Sequence, residues 1–123
     1  MLTLDTNALI YYLKADVVAT EVIRSAFEAY TPMFVATVTE LELFSLPTIT
    51  PEEVAEANRV LLTLSIIPLD SQIARIGAQL RREYRLKTPD SIIAATALLT
   101  HSTVLTRNVK DFKKIAHLSV QAI

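Results

Sequence analysis

Four acidic residues stand where a carboxylate could take part in chemistry: Asp5, Glu42, Asp90 and Asp111. Asp5 comes directly after the short apolar run Leu2–Leu4, and the two later aspartates lie at predicted helix starts. Ligands of open α/β sheets bind outside the carboxyl ends of the strands, and Asp5 falls at such an end. A structural explanation also exists for each aspartate, because Asp is a good N-cap and interacts well with the positive end of a helix.

Glu42 does not share this explanation, because it lies inside a predicted helix, between Leu41 and Leu43. An unpaired carboxylate against apolar packing is costly, so Glu42 indicates a nearby cation. If all four acids met in one pocket, two carboxylates ~4 Å apart would repel by about 4 kcal/mol at an effective dielectric constant of ~20. Mg²⁺ or Mn²⁺ would relieve that repulsion, since these cations prefer oxygen ligands and also bind phosphate. The pattern therefore favours metal-dependent phosphodiester hydrolysis.

Strands and helices follow one another along the chain, without an internal repeat or a linker. Short apolar runs predict strands at Leu2–Leu4, Met33–Ala36, Ile66–Leu69, Thr103–Leu105 and Leu118–Val120. Helical periodicity predicts helices at Asn7–Lys14, from Val18 to about Tyr30, at Val38–Ser45, from Pro51 to about Leu64, after Asp70, after Thr88 and, as a short turn, at Asn108–Asp111. This order predicts a single α/β domain over residues 1–123 with a mostly parallel sheet.

Two Thr-x-x-Glu patterns have the spacing of a capping box, Thr37–Glu40 and Thr50–Glu53, and Thr88 is the predicted cap of the helix that contains Asp90. Positions 40 and 42 point about 200° apart on a helix. Only one of the two glutamates can therefore face a pocket. We assign Glu40 to capping and Glu42 to the metal.

The composition excludes several classes of function. The chain has no cysteine, one glycine and two histidines, so a disulfide framework, a glycine-rich phosphate loop and a histidine-rich zinc site are all excluded. Hydrophobic residues make up 51% of the chain, but no apolar run approaches the ~18 residues of a membrane span. The N-terminus lacks the basic region of a signal peptide. We therefore expect a cytoplasmic protein with no membrane contact.

Charge is distributed unevenly along the chain. Residues 1–80 carry four basic and ten acidic side chains, whereas residues 81–114 carry eight basic and three acidic ones. This asymmetry indicates a polyanionic partner or, equally, a solvated surface whose charges form salt bridges.

Four segments together give the sequence a specific resemblance: Leu4–Ile10, Thr39–Leu43, Lys87–Ala97 and Leu105–Phe112. In this order and spacing they resemble the PIN-domain ribonucleases, and most of all the VapC-type toxins of toxin–antitoxin pairs. The resemblance implies a three-layer α/β/α fold and an acidic Mg²⁺ or Mn²⁺ site formed by Asp5, Glu42, Asp90 and Asp111. It also implies endonucleolytic cleavage of RNA, leaving 5′-phosphate and 3′-hydroxyl ends, and inhibition by a cognate antitoxin protein.

Further residues acquire expected roles from this resemblance and from their positions near the four acids in the chain. Polar groups expected to orient the carboxylates are Thr6, Asn7, Thr39 and Asn108. Basic residues expected to hold the RNA backbone are Arg81, Arg82, Arg85, Lys87, Arg107 and Lys110, with Lys113 and Lys114 nearby. Apolar residues expected in a homodimer contact or an antitoxin groove are Tyr11, Tyr12, Leu13, Val18, Val22 and Ile23; plain core packing is the alternative. Asn108 stands where some relatives have another acid, which leaves open whether one or two metals bind.

Two other functions compete with a nuclease. Receiver domains have a similar length and an acidic Mg²⁺ pocket. Resemblance to them would require paired acids after the first strand and a late Lys-Pro pair, and this chain lacks both. A PIN-like fold kept only as a protein-binding module is the other alternative, and the presence of all four acids disfavours it.

Overall fold

The computed structural model describes all 123 residues, from Met1 to Ile123. It contains five strands: β1 (Leu2–Leu4), β2 (Met33–Ala36), β3 (Ser65–Ile67), β4 (Thr103–Thr106) and β5 (Ser119–Ala122). Seven helices connect them: α1 (Thr6–Leu13), α2 (Val17–Glu28), α3 (Thr37–Phe44), α4 (Pro51–Leu61), α5 (Ser71–Tyr84), α6 (Thr88–Thr100) and α7 (Val109–Lys113). Every predicted element is present, and most boundaries differ by one to three residues, as is usual for element ends.

The strands form one sheet in the order β3-β2-β1-β4-β5, and every neighbouring pair is parallel. The prediction of a mostly parallel sheet is therefore confirmed. From β1 the chain builds outward through β2 and β3, then returns to the other side of β1 for β4 and β5. The direction of winding changes between β1 and β4, and such a switch point is where open α/β sheets bind their ligands.

Helices cover both faces of the sheet, each over its own apolar core. One core includes Ile73, Ile93 and Phe112 from α5, α6 and α7. The other includes Leu9, Ile23 and residues of α3 and α4. Adjacent residues of β4 divide between them, with Val104 in the first core and Leu105 in the second, as the alternation of side chains along a strand requires. The expected three-layer α/β/α architecture is confirmed.

Helix starts show where local sequence rules succeeded and where they failed. The predicted capping box at Thr50 is formed, with Thr50 and Glu53 each accepting the other's backbone N–H at 3.1 Å. The predicted box at Thr37 is wrong, because α3 has Ala36 as its N-cap and no side-chain cap bond. The Thr37 hydroxyl instead accepts the backbone N–H of Leu69 at 3.1 Å. This contact joins the end of β2 to the β3–α5 connection and leaves Glu40 without a capping role.

The start of α6 also differs from the prediction by one residue. Lys87 is the N-cap, with Thr88 and Pro89 as the first two helical residues. No side chain caps this end. Asp90 accordingly lies in the first turn, where its charge suits the positive end of the helix. No helix in the structure has both the length and the apolar character of a membrane span.

Candidate active site

The carboxyl ends of the three central strands lead into three of the four predicted acids. Asp5 follows β1 directly, Glu42 lies on α3 after β2, and Asp111 lies on α7 after β4. Because these strands are parallel neighbours, their ends lie at one edge of the sheet. Asp90 reaches the same region from the first turn of α6.

The pKa of Asp90 reflects both its burial and the charges around it. Burial raises the pKa of Asp90 above its usual range, and repulsion from Asp5, Asp111 and Glu42 raises it further, against the opposing effect of Lys87. Neither salt bridge in the structure involves any of the four acids. The sheet topology places Asp5, Glu42 and Asp111 after neighbouring strand ends, and the joint metal site of the four acids stays a prediction.

Asp5 is the most deeply placed of the four, with 5% of its surface exposed. Its Oδ1 accepts the backbone N–H of Ala8 at 2.7 Å, which makes it the N-cap of α1. Its Oδ2 accepts the hydroxyl proton of Thr106. Burial raises the pKa of Asp5, and the hydrogen bonds from Thr106 and Ala8 oppose that rise. The capping role that the sequence offered for Asp5 is confirmed, and its role in an acidic metal site stays a prediction.

Thr106 is a site residue that sequence reasoning missed. Besides donating to Asp5, its hydroxyl oxygen accepts the backbone N–H of Asn108 at 2.8 Å. The signal was present, because Thr106 lies in the segment Leu105–Phe112 and ends the strand beside β1. Only the sheet order, which pairs Leu4 with Leu105, reveals that Thr106 lies beside Asp5.

Glu42 is half-buried and held by hydroxyl groups. Its Oε1 accepts the Thr6 hydroxyl at 2.5 Å, and the Thr6 oxygen lies 3.1 Å from that of Thr39. Thr6 and Thr39 are both buried. The contact partly answers the expectation that Glu42 needs a cation, because a hydroxyl donor stabilises one of its oxygens.

Asp111 is held in a similar way by Asn108, whose Nδ2–H donates to Asp111 Oδ2 at 2.9 Å. Of the four residues expected to orient the carboxylates, Thr6 and Asn108 donate to one of the acids, and Thr39 contacts Thr6. The fourth, Asn7, is exposed.

The donor set has the chemistry that a hard divalent cation requires. It consists of carboxylate, hydroxyl and amide oxygens, with neither sulfur nor imidazole, and such oxygens suit Mg²⁺ and Mn²⁺. No three acidic or histidine side chains lie close enough, as they stand, to hold one ion together. Mg²⁺ usually keeps several waters and takes only one or two carboxylates directly. The residues therefore fit such an ion without a preformed cage.

Comparison with known families identifies the family of this chain. The model of the PIN domain family matches residues 2–118. The chain belongs to the PIN domain family. A comparison with curated proteins gave no match.

Solved structures support the same assignment. A chain of a toxin–antitoxin complex from Klebsiella pneumoniae is 32% identical, with a TM-score of 0.74, covering 96% of this chain and 95% of that one. A chain of DNA-bound VapBC from Salmonella typhimurium is 25% identical, with a TM-score of 0.84 over 98% and 96% of the two chains. VapBC2 from Rickettsia felis, bound to a promoter DNA fragment, has a chain with the same TM-score of 0.84 over 99% and 98%, but only 19% identity, so it shows the fold alone.

Most of the predicted RNA-binding cations of this PIN domain are exposed and free of salt bridges: Arg81, Arg82, Arg85, Lys87 and Lys110. Arg107 differs. Its guanidinium donates to Asp16 at 2.6 Å and to the backbone oxygen of Ile123 at 3.1 Å, and it lies 4.0 Å from the ring centroid of Tyr11. The hydrogen bond from Arg107, together with that from the backbone of Ala19, lowers the pKa of Asp16. In this structure Arg107 thus ties the C-terminus to the α1–α2 turn.

We predict that Thr106→Val destabilises the PIN domain by about 1–3 kcal/mol, because Asp5 loses a donor and the Asn108 N–H loses its acceptor. Thr103→Val is the matched control, since Thr103 lies on the same strand, is half-buried and makes no side-chain hydrogen bond. Denaturant unfolding of the two variants measures the difference. Equal midpoints would show that the Thr106 contact contributes nothing.

We predict a pH-dependent effect for Asp90→Asn. The folded protein binds the Asp90 proton more tightly than the unfolded chain does, because the folded pKa is raised. The benefit of that proton is present at acid pH and lost as pH rises through the folded pKa. In EDTA, Asp90→Asn should therefore be more stable than the wild type at neutral pH, and the gap should close on acidification. A variant less stable than the wild type at neutral pH would contradict the convergence of the acids.

Proposed function

We propose that this PIN domain is a metal-dependent endoribonuclease and the toxin of a toxin–antitoxin pair. The proposal is carried by the placement of three acids after the three central parallel strands, at the switch point of the sheet, with Asp90 in the first turn of α6. The likeness to chains of toxin–antitoxin complexes supports the biological role. A nuclease of this kind would act in the cytoplasm.

Asp5, Glu42, Asp90 and Asp111 are the residues that would hold Mg²⁺ or Mn²⁺. A bound divalent ion would supply charge stabilisation at the phosphodiester and make water a better nucleophile at neutral pH. The chain's own contribution is to fix the ligands in advance. Ala8 and Thr106 hold Asp5, while Thr6 and Asn108 orient Glu42 and Asp111. Groups that orient ligands in this way typically change metal affinity or activity by about 10–100-fold.

The substrate class follows from charge and resemblance together. Lys87 and Lys110 are exposed cations beside Asp90 and Asp111 in sequence, and such groups would hold the phosphates that flank the cleaved bond. Binding through phosphates weakens as salt rises. The choice of RNA rather than DNA as the proposed substrate rests on the resemblance to VapC-type ribonucleases.

Glu40 and Glu42, two residues apart, provide the sharpest test of this site. We predict that Glu42→Gln lowers RNA cleavage by at least about 100-fold, because loss of a direct metal ligand should exceed the ~10–100-fold effect of groups that only orient ligands. Glu40→Gln should retain activity. Glu40 makes no capping bond, and it points about 200° away from Glu42 around α3. Cleavage is measured with Mg²⁺ or Mn²⁺ on mixed RNA, and both variants are checked for wild-type melting temperatures.

Removal of the metal completes this experiment. Excess EDTA should abolish cleavage by the wild type, and added Mn²⁺ should restore it. Cleavage that continues undiminished in EDTA would refute the metal mechanism. A well-folded protein that cleaves no RNA with either metal would favour the catalytically silent binding module. Reversed behaviour of the two variants would place Glu40, not Glu42, in the pocket.

An antitoxin is the proposed protein partner, and a homodimer the proposed assembly. The expected contact face is partly supported, because Val18 is 48% exposed and Val17 is 78% exposed. Ile23, however, is fully buried in the core beneath α2 and is unavailable to a partner. Co-expression with the neighbouring gene should recover a complex, and light scattering should show a dimer. A monomer at all concentrations and no co-purified partner would refute both.

A further inference from the structure

Helices α5 and α6 enclose an open groove of about 650 Å³. The two helices pack closely at its base, where a Cβ atom on Gly77 would lie 3.4 Å from the backbone oxygen of Ser91. Buried apolar side chains of Leu86 and Ile92 form part of the floor. Three arginines of α5 and its C-terminal cap, Arg81, Arg82 and Arg85, also line it.

The charge of this groove is unbalanced. No carboxylate is among its lining residues, and none of the three arginines belongs to either salt bridge of the protein. All three side chains are exposed. Three unpaired cations around one groove repel one another and favour a ligand that carries several negative charges.

The groove lies across α6 from the acidic site. Thr88 and Ile92 line the groove, and each is two residues from Asp90, which is about 200° around a helix. Lys87 is the N-cap of α6 and lies three residues before Asp90 in the chain. Lys87 is exposed, as are the three arginines that precede it in the chain, so cations are present both at the start of α6 and along the groove.

We propose that this groove is a second contact site for the RNA strand, which passes from the acidic site over the start of α6. The inference rests on the proposed function and extends it. Phosphates beyond the cleaved bond would lie on Arg81, Arg82 and Arg85. The groove has no aromatic lining residue for bases to stack on, so it adds affinity without base preference. A second copy of the chain suits it less, because a symmetric contact would bring the two sets of arginines together.

The test compares two variants of equal net charge. Arg81→Gln/Arg82→Gln/Arg85→Gln removes the groove cations. Arg24→Gln/Arg59→Gln/Arg75→Gln removes three exposed arginines that do not line the groove. Binding of a fluorescent RNA dodecamer is measured by anisotropy in EDTA over a range of salt, and melting temperatures confirm folding. Single-strand phosphate contacts contribute about 0.7 each to the slope of log K against log salt, so the groove variant should lower that slope by about 2.

We expect the groove variant to bind the dodecamer at least about 10-fold more weakly than the control variant at low salt, equally for oligouridine and oligoadenine. Equal binding by the two variants, while the wild type still cleaves RNA, would overturn the groove and leave the nuclease standing. A groove variant that keeps its RNA affinity but changes from dimer to monomer in light scattering would overturn it in favour of a second copy. A wild type that neither binds nor cleaves RNA would overturn the proposed function together with it.

Discussion

The burial of Asp5 is the constraint on which the rest of the site depends. It is the only ionisable residue among the buried positions of the protein; the other buried polar residues all carry a hydroxyl. A carboxylate out of water needs donors for its oxygens. The first turn of α1 supplies one from Ala8, and the neighbouring strand supplies another from Thr106. The β1–α1 junction and the β1–β4 pairing are thus joined at one side chain.

The same requirement organises the polar groups around the other acids. Glu42 is only half-buried, so water can reach part of its carboxylate. The Thr6 hydroxyl nevertheless donates to it, and the contact between Thr6 and Thr39 joins α1 to α3. Asn108 both donates to Asp111 and presents its backbone N–H to Thr106. The Asp5–Thr106 bond connects the ends of β1 and β4, and the two contacts of Thr6 connect the residues that follow β1 and β2. The elements that position the acids are coupled to one another through the groups that hold them.

Much of this could be predicted from sequence, because the relevant signals are local. An apolar run that ends in Asp5 predicts the end of a strand. Proline and two acids after Thr50 predict the start of a helix to within a few residues. The failures were long-range. Thr37 matches a capping box, but the Leu69 N–H competes for its hydroxyl from 32 residues away. Arg107 stays a predicted RNA contact, but no local pattern reveals that its guanidinium donates to Asp16 and to the backbone oxygen of Ile123.

The protein leaves the negative charge of its acidic site largely uncompensated. It has 12 lysines and arginines, yet its two salt bridges join Arg59 to Glu56 and Arg107 to Asp16, both away from the four acids. Lys87 acts on Asp90 only through a weaker, opposing electrostatic effect. A domain selected for stability alone would pair or remove the carboxylates whose repulsion raises the pKa of Asp90, since such a shift is a cost to the folded state at neutral pH. Retention of that cost supports a role in which the balancing cation comes from solution.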